Sequence, residues 1–207
     1  MTLPPKSPAR SGDTPLADGR RERSRSSRTK IVAAMLDLVG GGDFSPSAAR
    51  VAEVAGVGLR SVFRHFEDMD ALYREIGEIV EARVLPIILQ MPKGNGWKQK
   101  MADMAKRRAQ VYETILPFRI SAELKRFQSP YLMQDYRRML RLEGETIDAH
   151  LPDGVKADRT GSQGLKVILS FQTWRLLRHD MELPVDAARA AVSRMLGDAL
   201  EQFSDAD

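Results

Sequence analysis

Cysteine is absent from all 207 residues, so disulfides and thiolate metal sites are excluded and a reducing compartment suits the chain. No stretch of 18 apolar residues occurs, and the first twenty residues contain no apolar segment of the kind a secretory leader needs. Membrane spanning and export by a standard signal are therefore not expected, and a cytoplasmic location is. The period-2 alternation that marks strands is missing, and no internal repeat is visible. The chemistry of catalysis is thin as well. The three histidines, His65, His150 and His179, lie far apart in sequence, with no HExxH motif, no Gly-x-Ser-x-Gly elbow and no phosphate-cradling glycine loop. Gly40-Gly41-Gly42 succeeds a helical pattern instead of a strand, which argues against a nucleotide loop. Neither an enzyme nor a bound metal or cofactor is expected.

Hydrophobic residues at 43% and charged residues at 29% are enough for a folded core with a solvated surface. The charge is unevenly placed. Residues 1–66 carry 11 Lys or Arg against 6 Asp or Glu, and the rest carries 21 against 22. The excess positive charge sits in the first third of the chain, which suggests either a polyanionic partner there or a solvated basic tail. Pro4, Pro5, Pro8 and Pro15, mixed with Ser, Gly and Asp, predict a disordered basic tail over residues 1–23. An arginine run, Arg20, Arg21, Arg23, Arg25 and Arg28, leads into the first helical pattern.

Helical periodicity covers most of the chain from residue 24 onward, and about nine helices are expected, an all-α fold. Ser24 to Val39 forms the first, with Ile31, Ala34, Met35 and Leu38 on one face. The second begins at Ser45-Pro46-Ser47, the third runs from Leu59 to about Phe66, and the fourth starts at Asp68 and meets Pro86. Further helices are expected over Trp97–Leu116, Phe118–Phe127, Ser129–His150, Asp158–His179 and Pro184–Phe203, with a loop at Leu151–Val155.

Residues 24–68 read as a helix-turn-helix module, packed on a larger helical domain over 69–207. Small residues Ala48, Ala49, Ala52 and Ala55 allow the second and third helices to approach closely. Gly56 can take the positive φ that ends the second helix. In the third, Val62, Phe63 and Phe66 are expected to face the core while Arg60, Ser61 and Arg64 face out, the layout of a major-groove reader.

These residues resemble the N-terminal domain of the TetR family of bacterial transcriptional regulators. The resemblance rests on Arg28 through Leu38, on Ser47-Ala48-Ala49-Arg50-Val51-Ala52-Glu53-Val54-Ala55-Gly56-Val57, on Ser61-Val62-Phe63-Arg64-His65-Phe66 and on Leu72, about a quarter of the chain. Two positions depart from the family pattern. Phe63 stands where a tyrosine is usual, and Met69 where a lysine is usual, inside the acidic run Glu67-Asp68-Met69-Asp70. Each change removes one contact to a DNA backbone, and the arginine run ahead of the first helix could compensate along the backbone or in the minor groove.

Arg60 and Arg64 are the candidates for base contacts, because arginine pairs bidentately with guanine. Leu59 and Ser61 are secondary readers, and Leu59 could touch a thymine methyl. Ser47, His65 and Arg28 are candidates for backbone contacts. The resemblance also implies repression of a palindromic operator, relieved by a small-molecule effector, and a homodimer. Leu165, Leu169, Trp174, Ala188, Val192, Met195 and Ala199 would form the dimer interface, with ordinary core packing as the alternative. Met101, Met104, Tyr112, Phe118, Phe127 and Tyr131 would line a pocket for an apolar or amphipathic compound, again with core packing as the alternative. The rival function is a helical protein-interaction module that has lost sequence-specific DNA binding, for which Phe63 and Met69 speak.

Overall fold

Ile31, Val32, Ala34, Met35 and Val39 place an apolar stripe on the first helix, α1 (Pro15–Gly40), and the fold buries all five. The computed structural model describes residues 15–204, with the side chains of Glu22 and of residues 24–204. α1 begins earlier than the sequence suggests: residues 15–23, expected to be disordered, are helical. Pro15 suits a first turn, and once the packed stripe has nucleated the helix, each further residue adds one hydrogen bond. The remaining part of the expected tail, including Pro4, Pro5 and Pro8, lies outside the described residues. So do the side chains of Arg20, Arg21 and Arg23.

α1 ends at the glycine triplet and is succeeded by α2 (Ala48–Ala55), α3 (Leu59–His65) and α4 (Met69–Ile88). The stripe of α1 meets Val51, Ala52 and Ala55 of α2, Val62 of α3, Phe66, and Leu72, Tyr73 and Ile76 of α4. This is the N-terminal core. α4 then continues into a second, larger core through Val80 and Val84. The two cores therefore meet within α4, one turn after Ile76. Pro86 stands two residues from the end of α4, so the bond it removes from the ladder falls in the last turn and little helix follows it.

α5 (Trp97–Lys125) corrects another expectation. The sequence predicts two helices separated by Pro117, but one helix runs through it. Interior proline costs roughly 3 kcal/mol. Here Ile115 and Ile120 are buried on either side, and Phe118 packs against both cores, so tertiary contacts hold the helix together across the break in its ladder. α6 (Pro130–Asp148) starts as its Ser-Pro signal predicts: Ser129 Oγ accepts the amide of Leu132 at 3.0 Å. A short helix, α7 (Asp153–Ala157), occupies part of the expected loop.

The stretch expected as one helix from Asp158 to His179 is three pieces: α8 (Arg159–Ile168), α9 (Phe171–Arg175) and a π-helical turn (Leu176–Asp180). A straight helix here would carry apolar residues around its whole circumference. The break at Ser170, whose Oγ accepts the amide of Thr173 at 3.2 Å, re-aims the chain. Leu165, Leu169, Phe171, Trp174 and Leu177 all become buried in the C-terminal core. α10 (Val185–Leu200) adds Ala188, Val192, Leu196 and Leu200 to the same core. Among the described residues there are ten α-helices, one π-helical turn and no strand, and no helix is long and apolar enough to cross a membrane.

Within the single chain Leu165, Leu169, Trp174, Ala188 and Val192 of the expected dimer face are buried, as the core-packing alternative has them. Of the seven, only Met195, at 37% exposure, and the half-buried Ala199 remain accessible.

Candidate nucleic-acid interface

The turn between α2 and α3 is built by local chemistry. Ser47 caps α2, its Oγ accepting the amide of Arg50 at 3.1 Å. Gly56 closes α2 in the left-handed region, φ 63°, and donates its amide to the Glu53 carbonyl, while the next amide, of Val57, returns to Ala52. Gly58 then opens α3 from extended backbone.

α3 has two faces. Val62 is buried, and Phe66, just past the end of the helix, is buried with it. Arg60 and Arg64 are exposed, as the pattern requires. Arg60 has no hydrogen bond or ion pair among the described residues, and Arg64 makes only a long 3.4 Å bond to Ser61 Oγ one turn back. Both guanidinium groups are available to an external acceptor. Leu59 is exposed beside them at 45%. Phe63 is the surprise of this helix. Expected in the core, it holds 51% of its surface to solvent. Val62 and Phe66, four residues apart, already fill the inward line, and a residue 100° round from Val62 has no place on it. The sequence carried that signal in the Val62/Phe66 spacing.

The residues expected on the DNA backbone fare differently. Ser47 sits exposed at the start of α2, where its amide neighbours and hydroxyl could meet a phosphate. Arg28 is engaged by its own protein. It donates to the His65 carbonyl at 2.8 Å, pairs with Glu75 and stacks over the Phe66 ring, 4.4 Å from the centroid. It ties α1 to the end of α3 and to α4, and so holds α3 in place. His65 has a buried Nε2 with no hydrogen-bond partner. Burial, and then the positive charges of Arg64 and Arg28, hold its pKa below the ordinary histidine value. The neutral imidazole adds no positive charge to the face.

The acidic run also has local work. Asp68 caps α4 by accepting the amide of Ala71 at 2.8 Å. Asp70 accepts the hydroxyl of Ser129 at 2.6 Å, joining the start of α4 to the start of α6. On α2, Arg50 is paired with Glu53 at 2.8 Å.

The residues expected to line an effector pocket are spread over the two cores and the surface. Met101, Met104 and Tyr112 are buried in the C-terminal core, and Phe118 lies between the cores. Tyr131 packs against the N-terminal core under the guanidinium of Arg74. Phe127 is 77% exposed beneath Arg126. The reason is α5: as one continuous helix it carries its first half and its end to opposite regions of the molecule. A cavity of about 10 Å³ beside Tyr112, Leu169 and Trp174 has room for about one water. A wide groove of about 710 Å³ between α6, α7 and α8 has the charged side chains of Glu145, Asp148, Lys156, Arg159 and Lys166 on its walls. No group of side chains suited to a metal ion occurs among the described residues.

No protein-family model matches the chain, and no curated protein matches it. Among solved structures, it is similar to the crystal structure of a transcriptional regulator from Rhodococcus sp. Rha1. The TM-score is 0.63 at 17% identity, over 84% of this chain and 96% of that one. At that identity the likeness establishes a shared fold.

Proposed function

We propose that this chain is a transcription regulator of the TetR kind that reads double-stranded DNA with α3. The observation that carries the reading is the outer face of that helix. Two arginines without ion pairs, one turn apart, stand on a short helix that comes after a glycine turn, and that helix packs into a core of its own that α5 and α6 also join through Phe118, Ala122 and Leu132. Arginine at this spacing matches the O6 and N7 acceptors of guanine in the major groove. The fold shared with a solved regulator supports the reading.

The protein acts as a homodimer, in which two copies of α3 about 34–36 Å apart read a palindrome. The face available for pairing is the flank of α10 beside its buried line, where Ala187 and Met195 are exposed and Ala191 and Ala199 are half-buried against the chain's own core, and Val167 and Leu176 are exposed as well. Repression released by an apolar or amphipathic effector rests on the family resemblance. Because Met101, Met104 and Tyr112 are closely packed, such an effector has to open its own space, and it changes DNA affinity only as far as it prefers the opened state. A cytoplasmic location belongs to the same reading.

Gel shifts of genomic fragments at several salt concentrations test it. A few fragments are expected to bind at least about a thousandfold more tightly than bulk DNA. Uniform, non-specific strength for every fragment removes DNA reading and favours the protein-interaction module.

A further inference from the structure

Leu59 and Phe63 are one helical turn apart on α3, and so are Arg60 and Arg64. All four are exposed. The helix therefore presents two ridges side by side, one apolar and one of guanidinium groups. No ring contact, ion pair or hydrogen bond from described residues outside α3 engages any of the four. Phe63 is not a core residue crowded out by its neighbours, since Val62 and Phe66 complete the buried line.

An occupant must answer both ridges at once. The floor of the major groove does: guanine offers paired acceptors, and thymine offers a C5-methyl group, the one apolar handle in the groove. Phe63 has no hydroxyl, so it cannot donate to a phosphate, and its ring is the only chemistry it brings. The flanking cations favour a polyanion over an apolar protein surface.

We infer that Phe63 is a specificity-determining residue whose ring packs on the methyl group of a thymine near a guanine read by Arg60 or Arg64. At about 1.5 Å per residue Phe63 lies about 1.5 Å along α3 from Arg64 and about 4.5 Å from Arg60, and stacked bases are about 3.4 Å apart, so the thymine and the guanine lie within about two base steps. The inference rests on the DNA reading above and adds to it a base and a chemical group.

The test uses the full-length protein and a randomised duplex library, from which bound sequences are recovered. Each thymine of the recovered site is then replaced singly by deoxyuridine, which removes the methyl and leaves every hydrogen-bonding group. Wild type is expected to weaken about fourfold at one or two positions per half-site, the worth of one buried methyl. Phe63→Ala is expected to bind less tightly and to be indifferent to those same changes, while Phe63→Leu keeps part of the response. Circular dichroism of both variants is expected to match wild type, since Phe63 belongs to neither core, and thermal melting is run to show that both are folded at the assay temperature. Indifference of wild type to every uridine, or an equal response in Phe63→Ala, overturns the inference. If such indifference is found at a site that still requires Arg60 and Arg64, the DNA reading stands and this inference alone falls. Recovery of no enriched sequence overturns both.

Discussion

Tyr73 and Ser121 meet hydroxyl to hydroxyl, 3.1 Å apart, in the interior between α4 and α5. Ser121 is fully buried and Tyr73 nearly so, so neither hydroxyl can exchange its partner for water. The bond joins the helix that leaves the recognition module to the longest helix of the larger domain. It is a point where the two parts are held by direction as well as by bulk.

Tyr73→Phe is expected to cost about 1–3 kcal/mol, the penalty for a buried hydroxyl that loses its partner. Ser121→Ala is expected to cost a similar amount, and the double variant less than the two together. Urea unfolding of the four proteins measures this. Additive losses would mean that the two hydroxyls do not act as a pair.

Arg60→Ala and Arg64→Ala are each expected to reduce discrimination between specific and bulk DNA by about 1–3 kcal/mol. Their stability is expected to stay within about 0.5 kcal/mol of wild type, because neither arginine is tied to another part of the fold. Arg28→Ala is expected to show the opposite pattern. It loses a half-exposed pair with Glu75 and the bond to the His65 carbonyl, about 1 kcal/mol of stability, and affects DNA binding only through a looser α3. Titration calorimetry beside thermal melting separates the two kinds of residue.

Much of this division is legible in the sequence. The all-helical character, the glycine turn and the exposure of Arg60 and Arg64 come from periodicity and from cap and turn residues, which act locally. The features that escape a sequence reading depend on distant partners. Pro117 reads as a helix end until the burial of Ile115 and Ile120 is known. Leu165, Leu169 and Trp174 read as a sticky surface until the bend at Ser170 turns them inward. Arg28 reads as a free cation because Glu75, 47 residues further on, supplies its partner. The residues expected around an effector share only their aromatic or thioether type, and residue type does not say where a helix end will lie.

Gly56→Ala is expected to cost about 1–2 kcal/mol. The added methyl would meet nothing within 4 Å, so the whole cost comes from holding φ at +63°. Asparagine, which tolerates this region better, is expected to cost less than alanine. An equal loss for both would point to a contact instead of a backbone effect. Thermal denaturation monitored by circular dichroism is sufficient.

His65 gives the fold a pH dependence. Its pKa in the folded protein lies below the ordinary value, first through burial and then through Arg64 and Arg28. His150 is lowered too, by burial and then by Lys100 and Arg107. The unfolded chain therefore takes up these protons at higher pH than the folded one does. Stability is complete above the unfolded histidine value, near 6.5, and is expected to fall as pH drops from there through the folded values. Comparing wild type with His65→Asn between about pH 8 and about pH 5 checks the sign, and the variant is expected to lose less.

Met195→Glu is expected to yield a folded monomer, because Met195 lies outside both cores and the substitution places charge on the accessible flank of α10. Val192→Glu, only three residues away, is expected to unfold the chain, since Val192 is interior. Sedimentation velocity with circular dichroism distinguishes these outcomes. A Met195→Glu protein that sediments as wild type does removes this face from the pairing surface.

α4 lends its first half to one core and its second half to the other, with no loop between them to absorb a rotation. A rod held at both ends would pass an expansion around Val80 and Val84 on to Leu72 and Ile76, and Phe66 at the end of α3 packs in the same core as those two residues. In the dimer proposed above, the separation of the two copies of α3 would then answer to the interior of the larger core.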